Sequence, residues 1–167
     1  MVAKHCEGKI PEPGTLTEDD EALLTAAAEC LDASIEHVDK QSLHRFCESV
    51  ILVARLGNKY IDTQAPWTLR KTDVPRMCTV LYVLVEAVRR MAIVLEPVMP
   101  TSCSIMLDQI GAEEKMRTFA SVRQRIAPGT QMGTPSPIFP KVESLAEETV
   151  AEKAELGKSK KQEKKKK

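Results

Sequence analysis

Aromatic residues and membrane-length apolar runs are both scarce in this chain. Of its 167 residues only 4% are aromatic, with three phenylalanines, two tyrosines and one tryptophan. Sheet sandwiches and barrels draw heavily on aromatic and β-branched residues, so this composition argues against both. The most apolar stretch, 91–107, is interrupted by Glu96, Pro97 and Pro100. It does not reach the ~18 uninterrupted apolar residues of a spanning helix, so we expect no membrane partner.

Cysteine pairing and an excess of one charge are also absent. The five cysteines are an odd number, and no two have the spacing of a Cys-x-x-Cys motif. This pattern, with no apolar signal segment ahead of it, predicts free thiols in a reducing compartment. Basic and acidic side chains balance at 24 each, but residues 151–167 hold eight lysines against three glutamates. We therefore expect an acidic and then Lys-rich disordered tail over 144–167.

Helical periodicity dominates the rest of the sequence. Apolar residues recur at intervals of three and four over 17–36, 39–65, 73–96 and 100–110, separated by proline or glycine. The third segment is apolar nearly all round and predicts the central helix, with one face formed by Leu81, Leu84, Val88, Met91 and Leu95. A Pro- and Gly-rich stretch follows and predicts an extended closing segment. The fold class is therefore all-α, an antiparallel helix bundle over residues 1–143.

Signatures of catalysis and metal binding are missing. The sequence contains no Gly-rich phosphate loop, no HExxH and no G-x-S-x-G. His44 and Cys47 stand one helical turn apart, but no second ligand pair has a matching spacing, so we interpret Cys47 as core packing. The acids Asp19 and Asp20 lie at a predicted helix start, where the helix dipole explains them. We predict no catalytic residue and no metal site in this chain.

Two residues allow both a structural and a functional interpretation. Asn58 continues an apolar face of the second helix with Val50, Ile51, Ala54 and Ile61. A buried amide there either ties the helix to a neighbouring backbone or is oriented toward a ligand at the bundle end. Trp67 follows Pro66 where that helix must stop. It either plugs the bundle end, which composition alone favours, or offers an exposed ring for base stacking.

The residues around this point resemble a known family. NKYIDTQAPWTLRKTD, at 58–73, is similar to the anticodon-binding helical domain of methionyl-tRNA synthetase, whose pattern is Asn-x-Tyr, Ala-Pro-Trp, then a basic residue near an Asp. Other segments agree in order and spacing, namely MVAKHCEGKIP, LYVLVEAVRRMAIVLEPVMP, MLDQIG and PSPIFPKVE. The resemblance spans residues 1–143 and is most detailed with bacterial and mitochondrial-type enzymes.

The resemblance implies a role in translation. Enzymes of this family use ATP to attach methionine to tRNA(Met) in a Rossmann domain, while the helical domain reads the CAU anticodon. By resemblance, Trp67 stacks on an anticodon base, Pro66 shapes its presentation and Asn58 belongs to the same site. The sequence has none of the family's ATP-binding motifs, and Met1 corresponds to a point within the first bundle helix. We therefore expect a truncated first helix and a chain inactive alone, with any ATP or zinc held by a catalytic part encoded upstream or separately.

The partner that the resemblance implies is tRNA(Met), with no role for DNA. Lys158, Lys160 and Lys161 in the tail either form a solvated extension or add sequence-independent contacts to phosphates. The alternative function is a stand-alone helical protein-interaction module that has lost RNA binding. The expected compartment is the cytoplasm, with the mitochondrial matrix as the alternative.

Overall fold

The structure, a computed structural model, describes residues 1–140. The chain divides into two units, Met1–Ser136 and a second that begins at Pro137. All the helices described here lie in the first unit. The predicted domain limit at residue 143 and the predicted disordered tail lie outside the described residues.

The first unit is all-α, as the sequence predicts. Its α-helices are α1 (Val2–His5), α2 (Glu18–Asp39), α3 (Leu43–Gln64), α4 (Pro66–Thr72), α5 (Val74–Leu95) and α6 (Pro100–Ile110), followed by two 3-10 turns, Glu114–Met116 and Phe119–Ser121. Helices α2, α3 and α5 have 22 residues each and pack against one another. The start of α2, the end of α3 and the start of α5 meet at one end, so α3 runs antiparallel to α2 and α5, whereas α2 and α5 run parallel to each other.

Two predicted helix limits are wrong. We expected the second helix to begin at Asp39, but α2 runs to that residue and α3 begins at Leu43. Gln41 between them has a φ of 56°, a left-handed conformation that ends one helix before Ser42, the residue that precedes the first turn of the next. Helix α4 was not predicted, because Pro66 was interpreted only as the end of the preceding helix.

Helix α5 is the central helix, which confirms the prediction. It packs against α2, α3, α4 and α6, and Val80, Val83 and Ile93 are fully buried. The face that we named from periodicity is not uniformly buried, because Leu81 is buried, Val88 is 36% exposed and its other three members are partly buried. An all-round apolar helix gives no contrast by which its deepest face can be read from periodicity.

Buried charge also shapes the bundle core. Glu86, Arg89 and Arg90 lie on α5 with almost no exposure, and both arginines form salt bridges with Glu86. The guanidinium of Arg90 also donates to the carbonyl of Leu24 at 2.6 Å, which joins α5 to α2. Each charge is therefore paired and hydrogen-bonded, the condition under which ionised groups are tolerated in a core.

The segment after α6 returns across the bundle, as the predicted closing segment requires. Gly111 ends α6 with a φ of 76°, which confirms it as the residue after the helix. An added Cβ at Gly111 would lie 2.0 Å from the carbonyl oxygen of Gln131, so the close approach also requires glycine. Gln131 pairs with Lys9 in an antiparallel bridge. Across residues 1–140, the helices are too short or too polar to span a bilayer.

Candidate functional site

The junction between α3 and α4 presents Trp67 at one end of the bundle. Ala65 lies between the helices with φ 44° and ψ 61°, because the following proline disfavours the right-handed helical conformation there. Pro66 is the first residue of α4, where its missing N–H costs no hydrogen bond, and its ring is buried. Trp67 follows it and is 50% exposed. Helix α3 therefore ends at Gln64, the backbone turns at Ala65, and α4 begins with the Trp67 indole partly exposed to solvent.

The exposure of Trp67 bears on the choice between a structural plug and an exposed ring. A plug would bury most of the ring, yet half of the side chain is accessible. Trp67 also belongs to neither of the two buried apolar clusters found in residues 1–140. Half of the Trp67 side chain is therefore accessible from solvent, which disfavours the plug that composition favoured.

Helix α4 places basic side chains beside the tryptophan. Arg70 and Lys71 follow Trp67 by three and four residues, a spacing that puts all three on one helical face, and all three are exposed. Arg70 Nη1 lies 3.3 Å from the His5 Nε2 of α1. Reduced hydration, the charge of Arg70 and the charge of Lys4 lower the pKa of His5. The face therefore combines an aromatic surface with cations suited to phosphate groups.

Asn58 requires a correction. The residues of α3 that face the core are Phe46, Val50, Val53 and Tyr60, whereas Asn58 and Ile51 are exposed. The buried face of α3 passes through position 57, and Asn58 lies about 100° around the helix from that position. The amide is therefore not a buried tie to a neighbouring helix. It lies on the surface of α3, about two turns before the helix ends.

A buried acid lies beneath the α3–α4 junction. Asp20, in the first turn of α2, is fully buried and accepts a hydrogen bond from the Tyr60 hydroxyl at 2.5 Å. Both terminal nitrogens of Arg76 donate to the same carboxylate, at 2.5 and 2.9 Å. The backbone N–H of Thr17 donates to it at 2.9 Å, as in a capping box. One carboxylate thus joins the starts of α2 and α5 to the last turn of α3.

The protonation of this cluster follows from its contacts. Burial by itself raises the pKa of Asp20, but the hydrogen bonds from Arg76, Thr17 and Tyr60 outweigh it and lower the pKa to about 2. Burial and the hydrogen bond to Asp20 raise the pKa of Tyr60. Hydrogen bonding to Asp20 raises the pKa of Arg76 as well. At neutral pH the cluster is a carboxylate, a guanidinium and a neutral phenol.

Sequence reasoning missed this cluster. We explained Asp20 by the helix dipole alone, which accounts for its position on α2 but not for its burial. The available signal was Arg76, because a cation in the first turn of a helix opposes the dipole and indicates a tertiary partner. Arg76 and Asp20 are 56 positions apart, so no local spacing pattern in the sequence indicates that they form a pair.

The remaining predicted site residues have simpler outcomes. Cys47 is partly buried against the core, which confirms its packing role, and His44 is exposed. Residues 1–140 contain no group of three or more His, Cys, Asp or Glu side chains placed to hold a metal ion. The five cysteines are free thiols. Lys158, Lys160 and Lys161 lie outside the described residues.

Two grooves lie at opposite ends of the bundle. The first, about 310 Å³, lies between α2 and α3 at the Trp67 end and includes Asp19, Lys59 and Gln64. The second, about 420 Å³, lies at the opposite end between the last turns of α2 and α5 and the first turn of α3. Half-exposed apolar side chains line it, including Ile35, Val38 and Phe119.

Comparison with known proteins identifies the family. Residues 10–158 match the family model described as the anticodon binding domain of methionyl tRNA ligase. The chain belongs to this family. The curated methionine–tRNA ligase of Brucella melitensis is 42% identical over 142 residues, which are 84% of this chain and 28% of that protein. The methionine–tRNA ligase of Mycobacterium tuberculosis is 40% identical over 145 residues, with the same two shares.

Solved structures agree with the family assignment. The crystal structure of the apo form of Mycobacterium tuberculosis methionyl-tRNA synthetase superposes with a TM-score of 0.82 at 39% identity, over 86% of this chain and 30% of that one. The same enzyme in complex with methionyl-adenylate gives a TM-score of 0.82 at 40% identity, over 84% and 28%. The chain therefore has the fold of the anticodon-binding domain and spans under a third of the length of these relatives.

Proposed function

We propose that this chain recognises the CAU anticodon of tRNA(Met) as the C-terminal part of a methionine–tRNA ligase. The observation that carries the proposal is the half-exposed Trp67 within Ala-Pro-Trp, at a helix junction of a domain that belongs to the anticodon-binding family. An exposed indole offers a flat surface on which an unpaired anticodon base can stack. Pro66 fixes the backbone from which the ring projects.

The surroundings of the ring support an RNA partner. Arg70 and Lys71 share its face and supply cations for the phosphates that flank a stacked base. The amide of Asn58 is exposed, so it is accessible for a polar contact with RNA. In this proposal the lysines of the tail, Lys158, Lys160 and Lys161, add affinity that does not depend on sequence.

Activation of methionine is assigned to another part of the ligase. The proposal places ATP and any zinc in a catalytic part outside this chain, so we expect no methionine-dependent exchange of pyrophosphate into ATP by this chain alone. The cytoplasm, or the mitochondrial matrix, is where such an enzyme meets its tRNA.

One observation favours the alternative, a helical protein-interaction module. The apolar groove at the end opposite Trp67 exposes several large side chains, and such patches often mark protein contacts.

Titration with RNA hairpins separates the two functions. The purified chain is titrated with an RNA hairpin that carries the tRNA(Met) anticodon loop and with a hairpin of equal charge in which CAU is replaced. Preference for CAU is the result expected of an anticodon-binding domain. Equal binding of both hairpins would contradict anticodon recognition. Negligible binding of both would contradict it as well and would favour the interaction module.

A further inference from the structure

The short helix that carries Trp67 is flanked by two residues that both bond to Arg76, one through its guanidinium and one through its backbone N–H. Helix α4 has seven residues and lies between Gln64, the last residue of α3, and Asp73, the cap of α5. Arg76 Nη2 donates to the Gln64 Oε1 at 2.7 Å. The backbone N–H of Arg76 donates to the Asp73 Oδ1 at 2.9 Å. Arg76 therefore bonds to the residues that flank α4 on both sides.

Helix α4 needs such support. Helices well under ~12 residues are marginal in water, and α4 has only seven. Ala65, which precedes it, holds a left-handed conformation that a residue with a Cβ rarely adopts unless its surroundings impose it. Because Trp67 is half exposed, burial does not fix its ring either. Its orientation must come from the backbone on which it stands.

Arg76 itself is firmly held. Its side chain is 17% exposed, and its two-point pair with the fully buried Asp20 leaves the guanidinium little freedom. Nη2 is the atom that reaches both Asp20 and Gln64. The end of α3 is thus tied to a fixed point in the bundle.

We propose that Arg76 is a positioning residue that acts through Gln64 to hold the Trp67 ring in the orientation that receives RNA. This inference rests on the proposed function, because it takes Trp67 as the stacking residue. A ring ordered in advance binds a base without the entropic cost of being ordered on contact. Arg76 therefore contributes by restricting the orientation of the Trp67 ring before RNA binds.

Substitution of Gln64 tests the inference without disturbing the buried pair. Gln64→Ala in the full chain removes the link to Arg76 and leaves Asp20 and Arg76 together. Gln64→Glu keeps an acceptor for Arg76 but loses the donor that reaches the Asp19 Oδ2 at 3.3 Å. Thr63→Ala is the matched control, since that side chain is exposed and its hydroxyl bonds only within its own helix.

Fluorescence reports the ring directly because Trp67 is the single tryptophan of the chain. We expect Gln64→Ala to lower the tryptophan anisotropy of the free protein and to weaken binding of the CAU hairpin about two- to ten-fold. Gln64→Glu and Thr63→Ala should keep the anisotropy near that of the unsubstituted chain, and Thr63→Ala should also keep its affinity.

The outcomes separate this inference from the proposed function. Unchanged anisotropy in Gln64→Ala would overturn the positioning role, and so would equal losses of anisotropy in Gln64→Ala and Gln64→Glu, because the Asp19 contact would then account for them. If the unsubstituted chain does not bind the CAU hairpin, anticodon recognition fails. The anisotropy comparison still decides whether Arg76 orders the ring.

Discussion

Arg89 and Glu86 form a two-point ion pair in the centre of the bundle. Arg89 Nε and Nη2 donate to the two carboxylate oxygens at 2.9 and 2.8 Å, and both side chains are fully buried. The same guanidinium donates to the carbonyls of Met116 and Gln124, at 2.9 and 2.6 Å. The pair therefore ties the segment after α6 to the central helix.

Neutralising Glu86 should strongly destabilise the domain. Glu86→Gln leaves two buried guanidiniums, those of Arg89 and Arg90, without their shared counter-charge. The expected loss is about 3–5 kcal/mol in the free energy of unfolding, measured by urea denaturation. Asp32→Asn is the control, because it removes the acid of an exposed pair with Arg123 and should cost under about 1 kcal/mol. Similar losses in the two variants would contradict a central role for the buried pair.

Stability should fall at low pH because of Asp20. Its pKa is about 2 in the folded chain against an ordinary 3.8, so the folded state favours the carboxylate. The resulting stabilisation, about 2 kcal/mol, is fully present above about pH 4 and disappears as the pH falls through 2. Urea midpoints measured across this window should fall less steeply for Asp20→Asn. An identical slope in the variant would show that Asp20 does not carry the effect.

Two glycines should respond to alanine with opposite signs. At Gly111 the positive φ and the Gln131 carbonyl leave no room for a Cβ, so Gly111→Ala should cost more than about 1 kcal/mol. Gly57 lies inside α3 with no atom within 4 Å of an added Cβ, so Gly57→Ala should stabilise by about 0.5–1 kcal/mol. Thermal melting of the two variants measures both changes in stability. Destabilisation by Gly57→Ala would mean that α3 needs its flexibility.

Local signals in the sequence predicted most of the helices. Thr17 before a run of acids and Gly111 after an apolar turn are helix-end signals that act over a few residues, and both hold in the structure. Pro66 was read correctly as a stop, but the same residue also starts α4, and periodicity cannot detect a helix of seven residues.

The candidate site was predictable only in part. We predicted Asn58 on the buried face of α3 because apolar residues such as Ile51 continue that pattern. Ile51 is exposed in the structure, so the pattern did not mark the buried face. The Asp20–Arg76 contact joins residues 56 positions apart, so it depends on the tertiary fold and on no local pattern. Trp67 was found through the Ala-Pro-Trp resemblance, but its exposure required the structure.

The Lys-rich tail should contribute affinity without selectivity. Deleting residues 157–167 should weaken binding of the CAU hairpin and of a hairpin with a different anticodon by the same factor. It should also flatten the dependence of affinity on salt, because fewer counterions are released from the RNA. Titrations at several salt concentrations measure both. A loss confined to the CAU hairpin would show that the tail reads sequence.

Anticodon recognition through Trp67 is tested most directly by one variant, Trp67→Ala, measured for both RNA affinity and thermal stability. Stacking on a base is worth about 1–3 kcal/mol, so the CAU hairpin should bind about ten-fold or more weakly, with little change in melting temperature because the ring is half exposed. Phe119→Ala is the matched control. That ring is 49% exposed at the opposite end of the bundle, and its removal should leave affinity unchanged. Unchanged affinity in Trp67→Ala, together with a loss of about 3–5 kcal/mol in stability, would contradict the account and make Trp67 a structural plug.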